Sequence, residues 1–135
     1  MKHPIALFLI LIMTATSCER KEHGCAKLDD GVYTGTFNRS SPIGDYITAN
    51  ISITLEDGTF SGTSDVDHYP AICNGTFAIN EEKIEFEDVC VWTADFDWTL
   101  ILDGTFDITT EGDEVILSRS YEGDVYDQYR ISKHH

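Results

Sequence analysis

Basic residues are scarce in this chain, and their scarcity limits what the protein can bind. The 135 residues include 9 Lys and Arg against 24 Asp and Glu, which gives a formal net charge of −15 at pH 7. A chain this acidic repels phosphate backbones, so we predict no binding to nucleic acid. The charge is typical of a soluble, solvated surface. The alternative interpretation of the negative charge is that it forms a cation site or binds a basic protein partner.

The chain also lacks an apolar run long enough to span a membrane. Its apolar stretch at residues 5–13 falls short of the roughly 20 residues that a transmembrane helix needs. The stretch follows Lys2 and His3 and leads through small residues to Cys18, an order typical of a secretory signal peptide. We therefore predict a signal peptide over residues 1–17.

Recognisable motifs for catalysis, cofactors and metals are missing from the sequence. No serine stands in a Gly-x-Ser-x-Gly elbow, and no cysteines and histidines have the spacing of a zinc site. Acidic residues in two segments, 65–68 and 95–97, could together offer oxygen ligands to calcium, but neither segment has a calcium-loop consensus. We predict a solvated acidic rim there, and neither an enzyme, a cofactor nor a metal site.

Long helical periodicity is absent, and from residue 30 onward the pattern is that of a β protein. Short alternating segments rich in Thr, Ile, Val, Phe and Tyr are separated by turn signals about every 8–12 residues. Asp57-Gly58 predicts a hairpin between strands 47–56 and 59–65. Asp103-Gly104 predicts another between strands 98–102 and 105–110. Further turn signals lie at residues 80–83, 112–113 and 123–124.

These turns predict an all-β fold: a single small antiparallel meander barrel of eight or nine strands over residues 29–135. The triplet Gly-Thr-Phe occurs four times, beginning at Gly35, Gly58, Gly75 and Gly104. Two copies fall inside predicted strands, where glycine marks a bend or a bulge. We expect each phenylalanine to pack inward on a sheet that closes on itself, since closure removes exposed edges.

The register of one hairpin predicts a disulfide. Centring the turn within residues 80–83 places Phe77 opposite Phe86, an apolar pair on one face. The same register places Cys73 directly opposite Cys90, at a distance close to bridging range. We predict a Cys73–Cys90 disulfide; two buried free cysteines are the alternative. Cys25 is then left over, and it is either unpaired or bonded to another chain.

Two loops are predicted to form a partner-binding site. Residues 64–72 contain the stiff pair Tyr69-Pro70, close to the predicted disulfide, and residues 93–97 follow a strand that ends at the same end of the barrel. A stiff loop loses less entropy when it binds. An ordinary connecting loop is the plainer interpretation. The residues predicted to bind a partner are Asp67, His68, Tyr69, Pro70, Asp95, Phe96 and Asp97.

The start of the chain resembles a bacterial lipoprotein signal. Its residues Ala15-Thr16-Ser17-Cys18 match the end of such a signal, after which the cysteine becomes the lipidated first residue. This resemblance implies that lipid on Cys18 anchors the chain to a membrane and that residues 18–28 form a tether. Glu19 after the cysteine implies sorting to the outer membrane, on either its periplasmic or its surface face.

The whole pattern resembles the lipocalin-like β-barrel lipoproteins of Bacteroidota. Gly31-Val32-Tyr33 corresponds to the Gly-x-Trp of lipocalins, and Arg130 to their late basic residue, although strand alternation would point Arg130 outward. The resemblance implies binding without catalysis. Small barrels of this kind include proteinase inhibitors, the potempins among them, and others carry small apolar ligands.

Our leading interpretation is a lipid-anchored proteinase inhibitor that binds a protein partner. The alternatives are a carrier of a small apolar ligand, with a pocket lined by Phe and Trp, and a structural envelope lipoprotein. An inhibitor predicts a filled core, because the many aromatic residues would plug a small barrel. A carrier predicts an internal cavity of a few hundred Å³.

Overall fold

In a computed structural model, which describes residues 28–135, the chain forms a closed barrel of eight antiparallel strands that neighbour one another in chain order. This confirms the predicted all-β meander barrel. The predicted signal peptide, Cys18 and Cys25 lie outside the described residues. The strands are β1 (Gly31–Ser41), β2 (Gly44–Glu56), β3 (Thr59–Ser64), β4 (Asn74–Asn80), β5 (Lys83–Asp88), β6 (Gly104–Glu111), β7 (Glu114–Tyr121) and β8 (Val125–Lys133).

The two ends of the barrel differ in their connections. At one end, which we call the base, two-residue turns at 57–58, 81–82 and 112–113 join paired strands, and β1 begins there. Asp57 and Gly58 both have positive φ, 47° and 74°, as a tight hairpin requires. At the other end, the mouth, the connections are residues 42–43, 65–73, 89–103 and 122–124. The longest loops therefore all lie at the mouth.

Side chains fill the interior of the barrel. The rings of Phe37 and Tyr129 lie 4.7 Å apart, and Phe106 packs edge-on against Tyr129 at 5.4 Å and against Phe86 at 5.9 Å. Such tilted and edge-to-face contacts are the arrangements that aromatic rings prefer. At the base the core also includes Leu28, the last residue of the predicted tether.

Three of the four Gly-Thr-Phe phenylalanines are buried, as expected, and Phe77 is half-buried. The strand glycines have a different role from the predicted bend. A Cβ atom on Gly35 would lie 1.8 Å from the carbonyl oxygen of Arg130, and one on Gly75 would lie 1.9 Å from that of Glu87. Glycine therefore lets two strands approach closely at these places. The shift of strand register lies elsewhere, after Asn38.

The predicted disulfide and its register are confirmed. Phe77 pairs with Phe86 in the β4–β5 ladder, and Cys73 is bonded to Cys90 with 6.3 Å between their Cα atoms. The ladder between the two strands ends at the pair Gly75 and Asp88, so the cysteines stand just beyond it. The bond therefore joins the loop over residues 65–73 to the loop over residues 89–103.

The predicted strand at 98–102, with its Asp103-Gly104 hairpin, is wrong. Residues Trp98–Leu100 form a 3₁₀ turn, whose start is capped by Asp97 through a 2.9 Å bond from the Thr99 N–H. The following residues run beside Ala71, whose N–H and C=O each bond to this segment at 2.9 Å. Side-chain capping and a distant partner thus replace the local hairpin. No helix within residues 28–135 is long and apolar enough to cross a membrane.

Candidate protein-binding site at the mouth

A buried ion pair closes the mouth of the barrel. Arg39 donates from Nε and Nη2 to the two carboxylate oxygens of Asp127, at 2.6 and 2.7 Å, and both side chains are almost fully buried. Burial opposes the charge on Arg39, but the bond and charge of Asp127 overcome it and raise the arginine pKa. Arg39 Nη1 also donates to Asp97 at 3.1 Å and to Thr99 at 3.0 Å. The pair thereby ties the 3₁₀ turn to the barrel.

A second arginine extends this network. Arg119 Nε donates to the Tyr121 hydroxyl at 2.7 Å, and that hydroxyl donates to Asp127 Oδ2 at 3.0 Å. The Arg119 guanidinium also lies 4.1 Å from the centre of the Phe106 ring. Burial raises the pKa of Tyr121, which keeps its hydroxyl protonated. Arg39 and Arg119 are therefore both turned inward and bound to neighbouring groups.

Tyr69 and Pro70 lie at the floor of the mouth. The Tyr69 ring packs edge-on against Phe37 at 5.1 Å, and its hydroxyl accepts a bond from the Arg39 N–H at 3.2 Å. Burial raises the pKa of Tyr69. Pro70 is fully buried, whereas the side chain of Asp67 is 92% exposed. Within the loop over residues 65–73, the predicted stiff pair thus supports the loop and Asp67 faces solvent.

The structure brings the two predicted loops together through an aromatic cluster of His68, Trp92 and Phe96. His68 stacks on Phe96 with ring centres 4.2 Å apart, and Trp92 meets His68 edge-on at 5.9 Å. The Trp92 indole donates to Asp88 at 2.6 Å, and burial raises the pKa of that carboxyl. The contact between loops is therefore fixed by stacked and hydrogen-bonded rings.

Three acidic residues of the two loops accept hydrogen bonds from polar groups of the protein itself. Asp65 accepts from the N–H and the amide of Asn50, both at 2.8 Å, and these bonds lower its pKa. Asp95 accepts from the Thr93 hydroxyl, which lowers its pKa. Burial alone would raise the pKa of Asp97, but bonds from Thr99 and the charge of Arg39 lower it. These carboxylates serve to shape the loops.

One group of side chains within residues 28–135 has ligand atoms spaced for a metal ion. It consists of Cys73, Asp88 and Cys90. Its two sulfur atoms are joined in the disulfide, so they are not available as thiolate ligands.

Exposed apolar side chains concentrate at the mouth. Among residues 28–135, six of the eight large apolar side chains that are exposed lie there, and the other two, Val32 and Ile79, lie near the base. They form two groups, on β1–β2 and on the loop after β5, which sit on opposite sides of the barrel. The first rim is Ile43, Tyr46 and Ile47; the second rim is Val89, Val91 and Trp98.

Sequence reasoning missed both rims, although a signal existed for the second. In the confirmed register, Ile84 and Phe86 point inward. Continuing the same alternation past the end of β5 would turn Val89 and Val91 outward. Two outward valines are unusual for a strand whose outer face is in water. Val91 is 99% exposed, and a cleft lined by Val91, Trp92 and Trp98 opens beside it.

The two residues that carried the lipocalin resemblance lie away from the mouth. Tyr33 is buried at the base, and its hydroxyl donates to the Asp29 carbonyl at 2.8 Å. Arg130 points outward, as predicted, and bonds to Glu114 at 2.8 Å and to Glu111 at 3.0 Å.

Comparison with protein-family models, with curated proteins and with solved structures gave no match for this chain. The geometry itself defines a small closed antiparallel β-barrel with a filled interior, a stapled mouth and two exposed apolar rims.

Proposed function

We propose that this protein is a non-catalytic envelope protein that binds a protein partner at its mouth, as an inhibitor of a proteinase. The observation that carries the proposal is the concentration of exposed apolar side chains on the two rims of the mouth. Each rim is a local group of exposed apolar side chains, and exposed apolar patches mark interaction sites on soluble proteins. Asp67, His68, Asp95 and Phe96 lie between the rims and supply the polar and aromatic part of the surface.

The filled interior favours a protein partner over a small ligand. A carrier needs an enclosed cavity of roughly 300–1,000 Å³. Here aromatic rings in mutual contact occupy the barrel, and the Arg39–Asp127 pair closes its mouth. A purely structural lipoprotein would have no need of apolar side chains on both rims.

The fixed loops of the mouth suit an inhibitor. The disulfide joins the two long loops, and the bonds of Arg39 hold the 3₁₀ turn against the barrel. Loops already held in one conformation lose little entropy on binding, so more of the contact energy appears as affinity.

The position of Leu28, the first described residue, supports an anchor at the end opposite the mouth. Leu28 is buried at the base, so a lipid on Cys18 would hold the base toward the outer membrane and direct the mouth away from it. Residues 18–28 could reach at most about 35 Å. The mouth would thus be accessible to a partner whether the domain lies on the periplasmic or the surface face of the outer membrane.

The test is titration of serine, cysteine and metalloproteinases with the wild-type protein and a second-rim variant. We expect stoichiometric inhibition of one class, and a loss of at least tenfold in affinity in the double variant Val91→Ser, Trp98→Ser. Its matched control is the double variant Val32→Ser, Ile79→Ser near the base, which should inhibit like wild type. Inhibition of no class, or equal inhibition by both variants, would contradict the proposal.

A further inference from the structure

Strand β2 extends beyond its neighbour β3 at the mouth of the barrel. Its ladder with β3 runs from Glu56 back to Ile51, and Asp65 then takes both backbone groups of Asn50, through its N–H at 3.0 Å and its carboxylate at 2.8 Å. Beyond Asp65 the chain turns away, with a 3.1 Å bond that closes a turn over residues 66–69. Residues 44–48 of β2, which we call the free edge, therefore have no strand from the described residues beside them on this side.

Strand alternation identifies the unpaired groups. The N–H and C=O of Asn50 both point toward the β3 side, and in an antiparallel strand the residue two positions away points the same way. The N–H and C=O of Thr48 consequently face outward on the free edge. Across the described part of the chain, none of the backbone hydrogen bonds formed outside the strand ladders reaches these two groups. Thr48 is exposed, so an incoming strand could meet them.

A β-bulge shapes the side chains beside this edge. In the β1–β2 ladder Arg39 alone stands opposite both Tyr46 and Ile47. Tyr46 stacks on Tyr69 at 6.4 Å and remains 45% exposed, and Ile47 is 60% exposed. A bulge limits regular pairing to a few residues, which suits a short segment and not a long sheet. The first rim thus lies directly beside unpaired backbone groups.

Charge decides which occupant fits the edge. A second copy would bring another chain of net charge −15 against this one. Asp65 stands beside the edge, and the two arginines of the mouth are turned inward. We propose that the free edge pairs with an extended, basic and partly apolar segment of the protein partner, by strand addition. The inference deepens the proposed function and rests on it for the partner being a protein.

The test measures binding of the peptide acetyl-(Lys-Val)₃-amide and of a matched peptide in which alternate valines are proline. Thr48→Pro removes the outward N–H, and Thr48→Val keeps it while losing only the side-chain hydroxyl. In the wild-type protein, we expect the first peptide to slow hydrogen exchange of the Thr48 amide. We also expect binding of the first peptide to Thr48→Pro, and of the proline peptide to wild type, to be at least tenfold weaker, because proline cannot donate to a strand ladder. Thr48→Val should bind the first peptide within about twofold of wild type.

Several results would overturn the inference. Equal binding of the two peptides to the wild-type protein would overturn it. This comparison needs no variant, so the test stays informative even if circular dichroism shows that Thr48→Pro does not fold. Protection of amides around Trp98 in place of Thr48 would also overturn it. So would sedimentation of wild type as a dimer that Thr48→Pro abolishes, because a second copy would then occupy the edge.

The outcomes separate this inference from the proposed function. If Thr48→Pro inhibits a proteinase as wild type does while the second-rim variant fails, the mouth proposal stands and the edge has no part in it. If the edge binds the peptide as expected but no proteinase is inhibited, strand addition stands and the inhibitor function fails.

Discussion

The base and the mouth of this barrel are built from different kinds of information. At the base, two-residue turns close each hairpin, and the residues that form a turn are adjacent in sequence. At the mouth, Arg39 bonds to Asp127 and Asp97, which lie 88 and 58 residues away along the chain. Local chemistry therefore sets the base, and long-range side-chain contacts set the mouth, where we place the binding surface.

Breaking the buried ion pair gives the largest expected effect on this contrast. Asp127→Ala leaves the Arg39 charge buried without its main partner, which should lower the free energy of unfolding by about 3–5 kcal/mol. Chemical denaturation measures it. The control is Asp107→Ala, which removes the exposed partner of Lys83 and should cost at most about 1 kcal/mol. Equal losses in the two variants would contradict a special role for the mouth network.

Removing the disulfide should have the next largest effect. The double variant Cys73→Ser, Cys90→Ser frees a loop closed over a sequence separation of 17 and should lower stability by about 3 kcal/mol. Hydrogen exchange should then quicken in residues 65–73 and 89–103 before it quickens in the base turns. Uniform quickening over both ends would argue that the bond does not serve the mouth in particular.

Close strand approach gives a smaller effect within the barrel wall. Gly75→Ala would place a Cβ atom 1.9 Å from the Glu87 carbonyl oxygen, so the strands must shift, at a cost of about 1–3 kcal/mol. Gly44→Ala is the matched control, because no atom lies within 4 Å of its added Cβ. The melting temperatures of the two variants compare them. A Gly75→Ala protein as stable as wild type would show that this approach is not required.

Acid should loosen the mouth by the smallest amount. The pKa of Asp97 is lowered in the folded protein by bonds from Thr99 and the charge of Arg39, so its ionised form stabilises the fold. That contribution is present above the ordinary pKa of Asp, about 3.9, and is lost as pH falls through the lower folded value. Asp97→Asn should therefore flatten the loss of stability below about pH 4, measured by denaturation at several pH values. An unchanged pH profile would remove Asp97 from the account.

The base could be predicted from sequence because its signals are short. Asp57-Gly58 supplies two residues suited to positive φ, and the apolar pair Phe77 and Phe86 fixes the register that predicts the disulfide. The segment at 98–102 was mispredicted because its partner, Ala71, lies about 30 residues away and leaves no mark in the local pattern.

The ion pair of the mouth left a signal that could have been used. Tyr33 and Phe37 point inward on β1, so Arg39 has the same parity and must be buried with a partner. Tyr129 and Ile131 give Asp127 the inward parity on β8. Two opposite charges that both point into the barrel predict an ion pair. The bonds of Arg39 to Asp97 and Thr99 could not be predicted, because they depend on how the mouth loops fold.

The central claim, that the mouth binds a protein partner, is tested most directly by native mass spectrometry of the protein released gently from its own envelope. We predict a complex with a whole protein that survives in the Val32→Ser, Ile79→Ser control and disappears in the Val91→Ser, Trp98→Ser variant. A small adduct of a few hundred daltons, retained by both variants, would contradict the account and indicate a carrier.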